Sequence, residues 1–260
     1  MVSIPGYVIT GLFGALIGSF LNVCIYRLPR RESIVWPSSR CPACARPIAW
    51  YDNIPILSFL ALRGKCRACG APISFRYPLI EAANAVGYGV IFWHFGAGWV
   101  SAAYAVLFSA LLVVTGTDFT HQIIPNVITV PGMLLGLLCA STILPVGLVN
   151  SIMGMLVGGG LLWVLAWVSP YLFGKEGMGG GDIKLLAMIG AFLGWKATLL
   201  TIMIGASVGS VVGMGLISLN VIKRDDYIPF GPFLALGAVL SLFFHEPLLE
   251  WYFNLVAPLE

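Results

Sequence analysis

"GMGGGDIK", residues 177–184, sets four glycines beside one aspartate, and "LLAMIGAFLGW", residues 185–195, continues as an apolar run. A glycine-rich turn before a helix can cradle phosphate. A carboxylate beside an apolar helix can instead move protons. The phosphate pattern fails: a P-loop needs GxxxxGK[ST], and here Asp182 and Ile183 stand between Gly181 and Lys184. The dinucleotide pattern fails too, because the sixth position counted from Gly177 is Asp182 and no strand precedes it. An aspartate closing the loop would repel phosphate. The glycines are expected to adopt positive φ and to let backbone, including a substrate's, approach Asp182.

The apolar run that follows belongs to a chain built for lipid. Of 260 residues, 59% are hydrophobic and only 10% charged, against about 25% charged in soluble domains. Mean hydropathy is +0.94. The reading is an all-α polytopic membrane protein. A spanning helix needs about 20 mostly apolar residues, and the windows that satisfy or approach this lie near 5–26, 78–96, 98–117, 126–145, 149–172, 183–195, 197–221 and 231–245. That predicts about eight transmembrane helices, the sixth and eighth short. No basic residue precedes Arg27, so Pro5–Tyr26 reads as a first span, without the basic start of a signal peptide.

Charge fixes the expected topology. Nine of the 14 Lys and Arg residues fall between Arg27 and Arg76. Such a cluster suggests a nucleic-acid face, but basic residues also collect in cytoplasmic loops of membrane proteins. With that loop inside, alternation also places Lys175, Lys184, Lys223 and Arg224 inside and only Lys196 outside. Both termini are then expected outside, and no nucleic-acid partner is called for. Small residues recur at helical spacing, at Gly154 and Gly158 and at Gly205, Gly209 and Gly213, as in helices that pack closely in lipid.

The basic loop contains an internal repeat. "CPACARPI" at 41–48 is echoed by "CRACGAPI" at 66–73. Cys41, Cys44, Cys66 and Cys69 form two CxxC knuckles that can close a tetrahedron around one structural Zn2+. A loop this short has little apolar content, so metal binding can supply its folding energy. The other two cysteines, Cys24 and Cys139, lie in apolar runs and read as packing residues. The domain reading is therefore a first transmembrane helix over 1–27, a small cytoplasmic zinc-binding loop over 28–77 between helices 1 and 2, and a transmembrane core over 78–260.

Three acidic residues lie in or at the edge of the spans: Glu81, Asp118 and Asp182. A charge at the bilayer centre costs roughly 2.5–3.5 kcal/mol on insertion scales, so such residues are read first as functional. Asp118, in "TGTDFTHQIIPN", closes the third span. Asp182 opens the sixth. Both fall on the cytoplasmic side at similar depth. Two carboxylates meeting there would share one proton. One would activate water and the other would polarise a peptide carbonyl, which is aspartyl-protease chemistry. Plainer roles compete. Asp182 could cap a helix, and Asp118 could pair with Lys184 or cap the turn before Pro125. His121 follows Asp118 by three residues and is left outside the site.

These motifs resemble the type IV prepilin peptidase family. "GMGGGDIKLLAMIGAFLGW" is similar to its GxGD signature and "DFTHQIIPN" to its first-aspartate motif. The double CxxC loop, "GSFLNVCIYRLP" at 18–29 and "IPFGPFLALG" at 228–237 match as well. Thr120 and Asn126 depart from the acidic residues frequent in relatives. The resemblance implies an inner-membrane enzyme with two activities. It would cleave the basic leader of prepilins or pseudopilins after a glycine, with Asp118 and Asp182 as the catalytic pair. It would then N-methylate the new N-terminal residue with S-adenosylmethionine, an activity associated with the cysteine loop. For methyl transfer the resemblance points to Gly64 and Lys65, and Glu81 is a further candidate because a carboxylate can hold an incoming ammonium. A proton-coupled transporter also uses paired intramembrane carboxylates and glycine-broken helices, but no inverted repeat is present and both aspartates lie near one face. A zinc-ribbon adaptor would leave the aspartates unexplained.

Overall fold

The structure, a computed structural model, describes residues 4–173, 179–223 and 227–256. Among these there is no β-sheet, only two isolated bridges in the cysteine loop. Helix is the expected outcome, since lipid offers backbone N–H and C=O groups no partners and a helix satisfies its own. Among the described residues, five helices are long and apolar enough to cross a membrane. Contacts divide the chain into two units, Met1–Thr117 and Asp118–Glu260.

The first unit holds α1 (Ile4–Arg27), a short α2 (Leu57–Ala61), α3 (Arg76–Phe95) and α4 (Trp99–His121) as far as Thr117. Buried polar bonds join the long helices. Asn84 Nδ2 donates to the Gly14 carbonyl on α1 (2.8 Å) and Ser109 on α4 donates to Asn84 Oδ1 (3.0 Å). Tyr88 completes the chain with a bond to Ser109 (3.0 Å). Each bond of this kind is worth about 0.6–2 kcal/mol in a membrane helix bundle. Leu12 and Phe13 on α1 stay more than half exposed, as an apolar face turned to lipid would be. Trp93 and Trp99 flank the α3–α4 turn, both largely exposed, where an aromatic belt belongs.

The second unit holds the end of α4 with α5 (Asn126–Thr142), α6 (Leu148–Phe173), α7 (Gly180–Ser218) and α8 (Gly231–Val256). α6 and α7 cross backbone to backbone. A Cβ on Gly190 would lie 2.1 Å from the Gly154 carbonyl oxygen, and one on Gly154 would lie 2.4 Å from that of Gly190. Gly205 and Gly209 make room for Phe233 near the start of α8, and Gly213 for Ile228 in the segment before it. The small-residue spacing in the sequence is thus used for packing.

The expected division between the sixth and seventh spans is present: α7 consists of two helices that meet at the non-helical Gly194 (φ 77°, ψ 172°). Counting them separately gives about eight helices, as expected. Two expectations need correction. The eighth span is not short: α8 runs through Pro247 to Val256, because the residues after it are helix-compatible and mostly apolar. Finally, Gly179 has φ −77° and Gly180 and Gly181 already lie in α7, so none adopts positive φ. Their value is space. Gly177 lies outside the described residues.

Candidate active site and metal centre

Asp118 sits three residues before the end of α4, and Asp182 is the third residue of α7. Each is only 3% exposed. Asp118 Oδ2 accepts the backbone N–H of Gly231, the first residue of α8, at 3.0 Å. That N–H is one of the orphan donors of a helix start, where a carboxylate is favoured. Asp182 is not the N-cap, which is Gly179; its own N–H donates to the Gly179 carbonyl (3.2 Å). Asp182 Oδ1 is buried without a hydrogen-bond partner among the described residues.

Ile124 gathers these pieces. A Cβ on Gly181 would lie 2.9 Å from Ile124 Cβ, and one on Gly231 would lie 3.3 Å from Ile124 Cδ1. The starts of α7 and α8 therefore flank one side chain, with Asp118 against the second of them. The pairing with Lys184 that the sequence left open is not made by Asp118: Lys184 Nζ donates to Asn126 Oδ1 (2.9 Å). His121 bonds to Thr120 (2.7 Å).

Sequence reasoning missed three residues here. Gly231 and Ile124 become neighbours of the aspartates only through folding, although the glycine before Pro232 was a helix-start signal. Tyr227 is the third. Partial burial pushes its phenol above the usual range, assisted by the charges of Asp182 and Asp118. It is a protonated hydroxyl within the field of both carboxylates.

The cysteine loop folds as two copies of one turn. Cys41 N–H donates to Arg46 O (3.0 Å) and Ala45 N–H to Cys41 O (2.9 Å); Cys66 N–H donates to Ala71 O (2.8 Å) and Gly70 N–H to Cys66 O (2.8 Å). Ala45 (φ 57°) and Gly70 (φ 71°) take the same left-handed position. The bridges Arg40–Pro47 and Lys65–Pro72 repeat as well. The four Sγ atoms of Cys41, Cys44, Cys66 and Cys69 all lie within 4.8 Å of one another, Cys41 and Cys69 at 3.9 Å. Zn–S bonds of about 2.3 Å require tetrahedral S–S edges of about 3.8 Å, so donor set and spacing fit zinc. Backbone N–H groups of Cys44 and Ala43 pull the Cys41 thiol down to about 7. Arg67 clamps Asp52 through Nε and NH2 (2.8 and 2.7 Å), tying the second knuckle to the turn at 50–53.

The methyl-transfer candidates stand apart. Gly64 (φ 66°) and Lys65 link the end of α2 to the second knuckle: their N–H groups donate to the Phe59 and Leu62 carbonyls (2.9 and 3.1 Å), and the Gly64 carbonyl accepts from Ile73 N–H (2.7 Å). Glu81 Oε2 instead accepts the N–H of Ile56 (2.7 Å). Among the described residues no hydrogen bond joins the two groups.

Fold and site together define a multi-pass helical membrane protein with two buried carboxylates at helix ends and a separate four-thiolate module. Residues 12–95 match a family model described as Bacterial Peptidase A24 N-terminal domain, and residues 105–214 match one described as Type IV leader peptidase family. The chain is 39% identical to the prepilin leader peptidase/N-methyltransferase of Stutzerimonas stutzeri, over 93% of this chain and 91% of that protein. It is 38% identical to the protein of the same name from Pseudomonas aeruginosa, over 94% and 92%. The Myxococcus xanthus relative is 41% identical over 82% of this chain and 65% of its own. No solved structure matches. The chain belongs to the type IV leader peptidase family.

Proposed function

We propose that this protein removes the leader from prepilins or pseudopilins with Asp118 and Asp182, then N-methylates the new N-terminal residue with S-adenosylmethionine. The observation that carries the peptidase half is the pair of buried carboxylates around Ile124, one oriented by the Gly231 N–H, in a chain whose relatives bear that name. As a member of this family the protein is a peptidase and methyltransferase. The transporter reading has no support from the comparisons.

Asp118 is assigned the base, because the Gly231 N–H fixes one oxygen and leaves the other for water. Asp182 is assigned the acid, because its unengaged Oδ1 is available to carry a proton to the scissile carbonyl. Water attacks the carbonyl carbon as Asp118 takes its proton. The tetrahedral diol then collapses, the C–N bond breaks, and a proton passes to the leaving nitrogen. Substrates with a basic leader and an apolar helix would lie laterally against the glycine-rich helices, with the scissile bond at the interface.

The distribution of basic residues supports an inner-membrane setting with the active site towards the cytoplasm and both termini outside. The domain assignment is a first helix over 1–27, a methylation-associated loop over 28–77 holding Zn2+ on Cys41, Cys44, Cys66 and Cys69, and a peptidase core over 78–260. Zinc there would fix the loop and take no part in the chemistry. Gly64, Lys65 and Glu81 are assigned to methyl transfer. The test is purified protein with a prepilin in detergent, read by mass spectrometry. Loss of the leader and a gain of one methyl that depends on S-adenosylmethionine are expected. An intact leader would overturn the reading.

A further inference from the structure

The cysteine loop reaches back along the membrane helices. α1 and α3 touch where a Cβ on Gly18 would lie 2.7 Å from Glu81 Cα. Gly18 stands nine residues before Arg27, the last residue of α1, or about 13.5 Å along the helix. Ile56, midway in the loop, donates its N–H to Glu81 Oε2 (2.7 Å). A glutamate side chain and one hydrogen bond are too short to bridge the distance back to the end of α1, so Ile56 lies inside it. The chain strains to get there. Ile56 is β-branched yet takes φ 61° and ψ −50°, and Leu57 N–H closes onto the Pro55 carbonyl (2.6 Å). This is a γ-turn of the rare, strained hand. Irregular backbone at membrane depth persists only where protein satisfies its polar groups, and Glu81 satisfies this one.

Around the turn the loop changes character. Residues 54–62 carry no charge, although nine basic residues fall between Arg27 and Arg76. Leu57 and Leu60 stand three apart on α2, on one side of it, and are 63% and 64% exposed. Phe59 meets Phe75 edge to face, with 6.1 Å between ring centroids, which sets α2 beside the start of α3. Phe75 and Leu79 are exposed there too. Arg63 and Lys65 follow the uncharged run, both exposed. An apolar face flanked by cations suits the boundary between headgroups and acyl chains.

We infer that residues 54–62 form a re-entrant anchor in the cytoplasmic leaflet, with Leu57 and Leu60 among phospholipid acyl chains and Arg63 and Lys65 at anionic headgroups. Glu81 is the acceptor that lets the turn enter. The occupant is lipid and not a second protein chain, because the face adjoins the exposed apolar start of α3 and the charges beside it complement anionic lipid. The anchor's use in methyl transfer rests on the assignment of Gly64 and Lys65 made above. Gly64 N–H is bonded to the Phe59 carbonyl (2.9 Å), so that step is tied to the anchor at the bilayer surface. A cleaved substrate presents its new amine there, at the end of an apolar helix.

The test uses full-length protein in lipid nanodiscs containing a phospholipid with a diazirine on its acyl chain, with adducts mapped by mass spectrometry after irradiation. Leu12 and Phe13 on the exposed face of α1 report lipid contact, and residues 41–48 report water. Adducts on residues 57–60 are expected at a yield like that of Leu12 and Phe13, and at least tenfold above residues 41–48. A yield no higher than that of residues 41–48 overturns the inference. So does Leu57→benzoylphenylalanine that crosslinks to a second protein chain instead of to lipid. Leu57→Gln combined with Leu60→Gln is expected to lose most of the adducts on residues 57–60, with labelling of Leu12 and Phe13, zinc content and thermal melt unchanged. Its KM for a cleaved prepilin in the same nanodiscs should rise about tenfold, as for loss of a shared surface. Its kcat, and its KM for a short water-soluble peptide, should match wild type. An unchanged KM for both substrates removes the anchor from methyl transfer. Wild-type protein that labels at residues 57–60 but transfers no methyl overturns the methyl-transfer reading and leaves the anchor standing.

Discussion

The backbone N–H of Gly231 lies 3.0 Å from Oδ2 of Asp118, and a Cβ at residue 231 would lie 2.6 Å from the same oxygen. The glycine is therefore both the donor that aims the carboxylate and the space that admits it. Gly231→Ala must push one of them away. A misplacement near 1 Å can cost about 10²-fold in rate, and leader cleavage is expected to fall by about that factor. The check is single-turnover cleavage beside the thermal melt in detergent. Wild-type cleavage in a folded Gly231→Ala protein would sink the positioning role.

The two aspartates should fail in the same assay. Asp118→Asn and Asp182→Asn each preserve size and remove one proton carrier, so cleavage should drop by at least about 10³-fold. Residues acting as a unit are non-additive, so the double variant should be little worse than either single one. Methylation of a substrate supplied already cleaved should persist in both, because Glu81 and the cysteine module belong to the first unit. A single Asn variant that cleaves at wild-type rate would end the two-aspartate assignment.

The chemistry-bearing residues of this site were legible because their types are costly in lipid. Asp118 and Asp182 stood out against an apolar background, and the four cysteines against a repeat shared down to the Pro-Ile that follows. Gly231 and Ile124 were not legible in that way. A glycine and an isoleucine are ordinary in a membrane helix, and the meeting of residue 231 with residue 118 is a tertiary event. The spans were legible from length and composition, and so was the break in α7: Lys196, left between two apolar windows, set the division within two residues of Gly194. The glycine loop misled, because sequence shows the absence of a side chain, not whether it serves a turn or a close approach.

Gly194 supplies a stability test. Its φ of 77° and ψ of 172° suit glycine alone, and a Cβ there would lie 2.5 Å from Val146 Cγ2. Strained positions of this kind cost about 1–3 kcal/mol. Gly194→Ala is expected to lower the melting temperature by several degrees and to slow cleavage only as far as α7 shifts. Gly160→Ala is the control, since a Cβ there meets nothing within 4 Å. Equal melts for the two variants would show that the break tolerates a side chain.

The cysteine module makes the sharpest prediction about the division of labour. Its Sγ atoms lie within 4.8 Å of one another, and no large apolar core surrounds them: Cys44 and Cys66 are half-buried and Cys69 is exposed. A loop held this way should depend on its metal. Purified protein is expected to carry one zinc per chain by elemental analysis. Cys41→Ser or Cys66→Ser should lower that content and expose the loop to protease. Methylation should be lost, because Ile56, whose N–H holds Glu81, lies between the two knuckles. Cleavage should survive, because Asp118, Asp182 and Gly231 all lie in the second unit. A cysteine variant without zinc that methylates normally would detach the module from that activity. One that loses both activities while its helices still melt as in wild type would place the zinc loop in the peptidase as well.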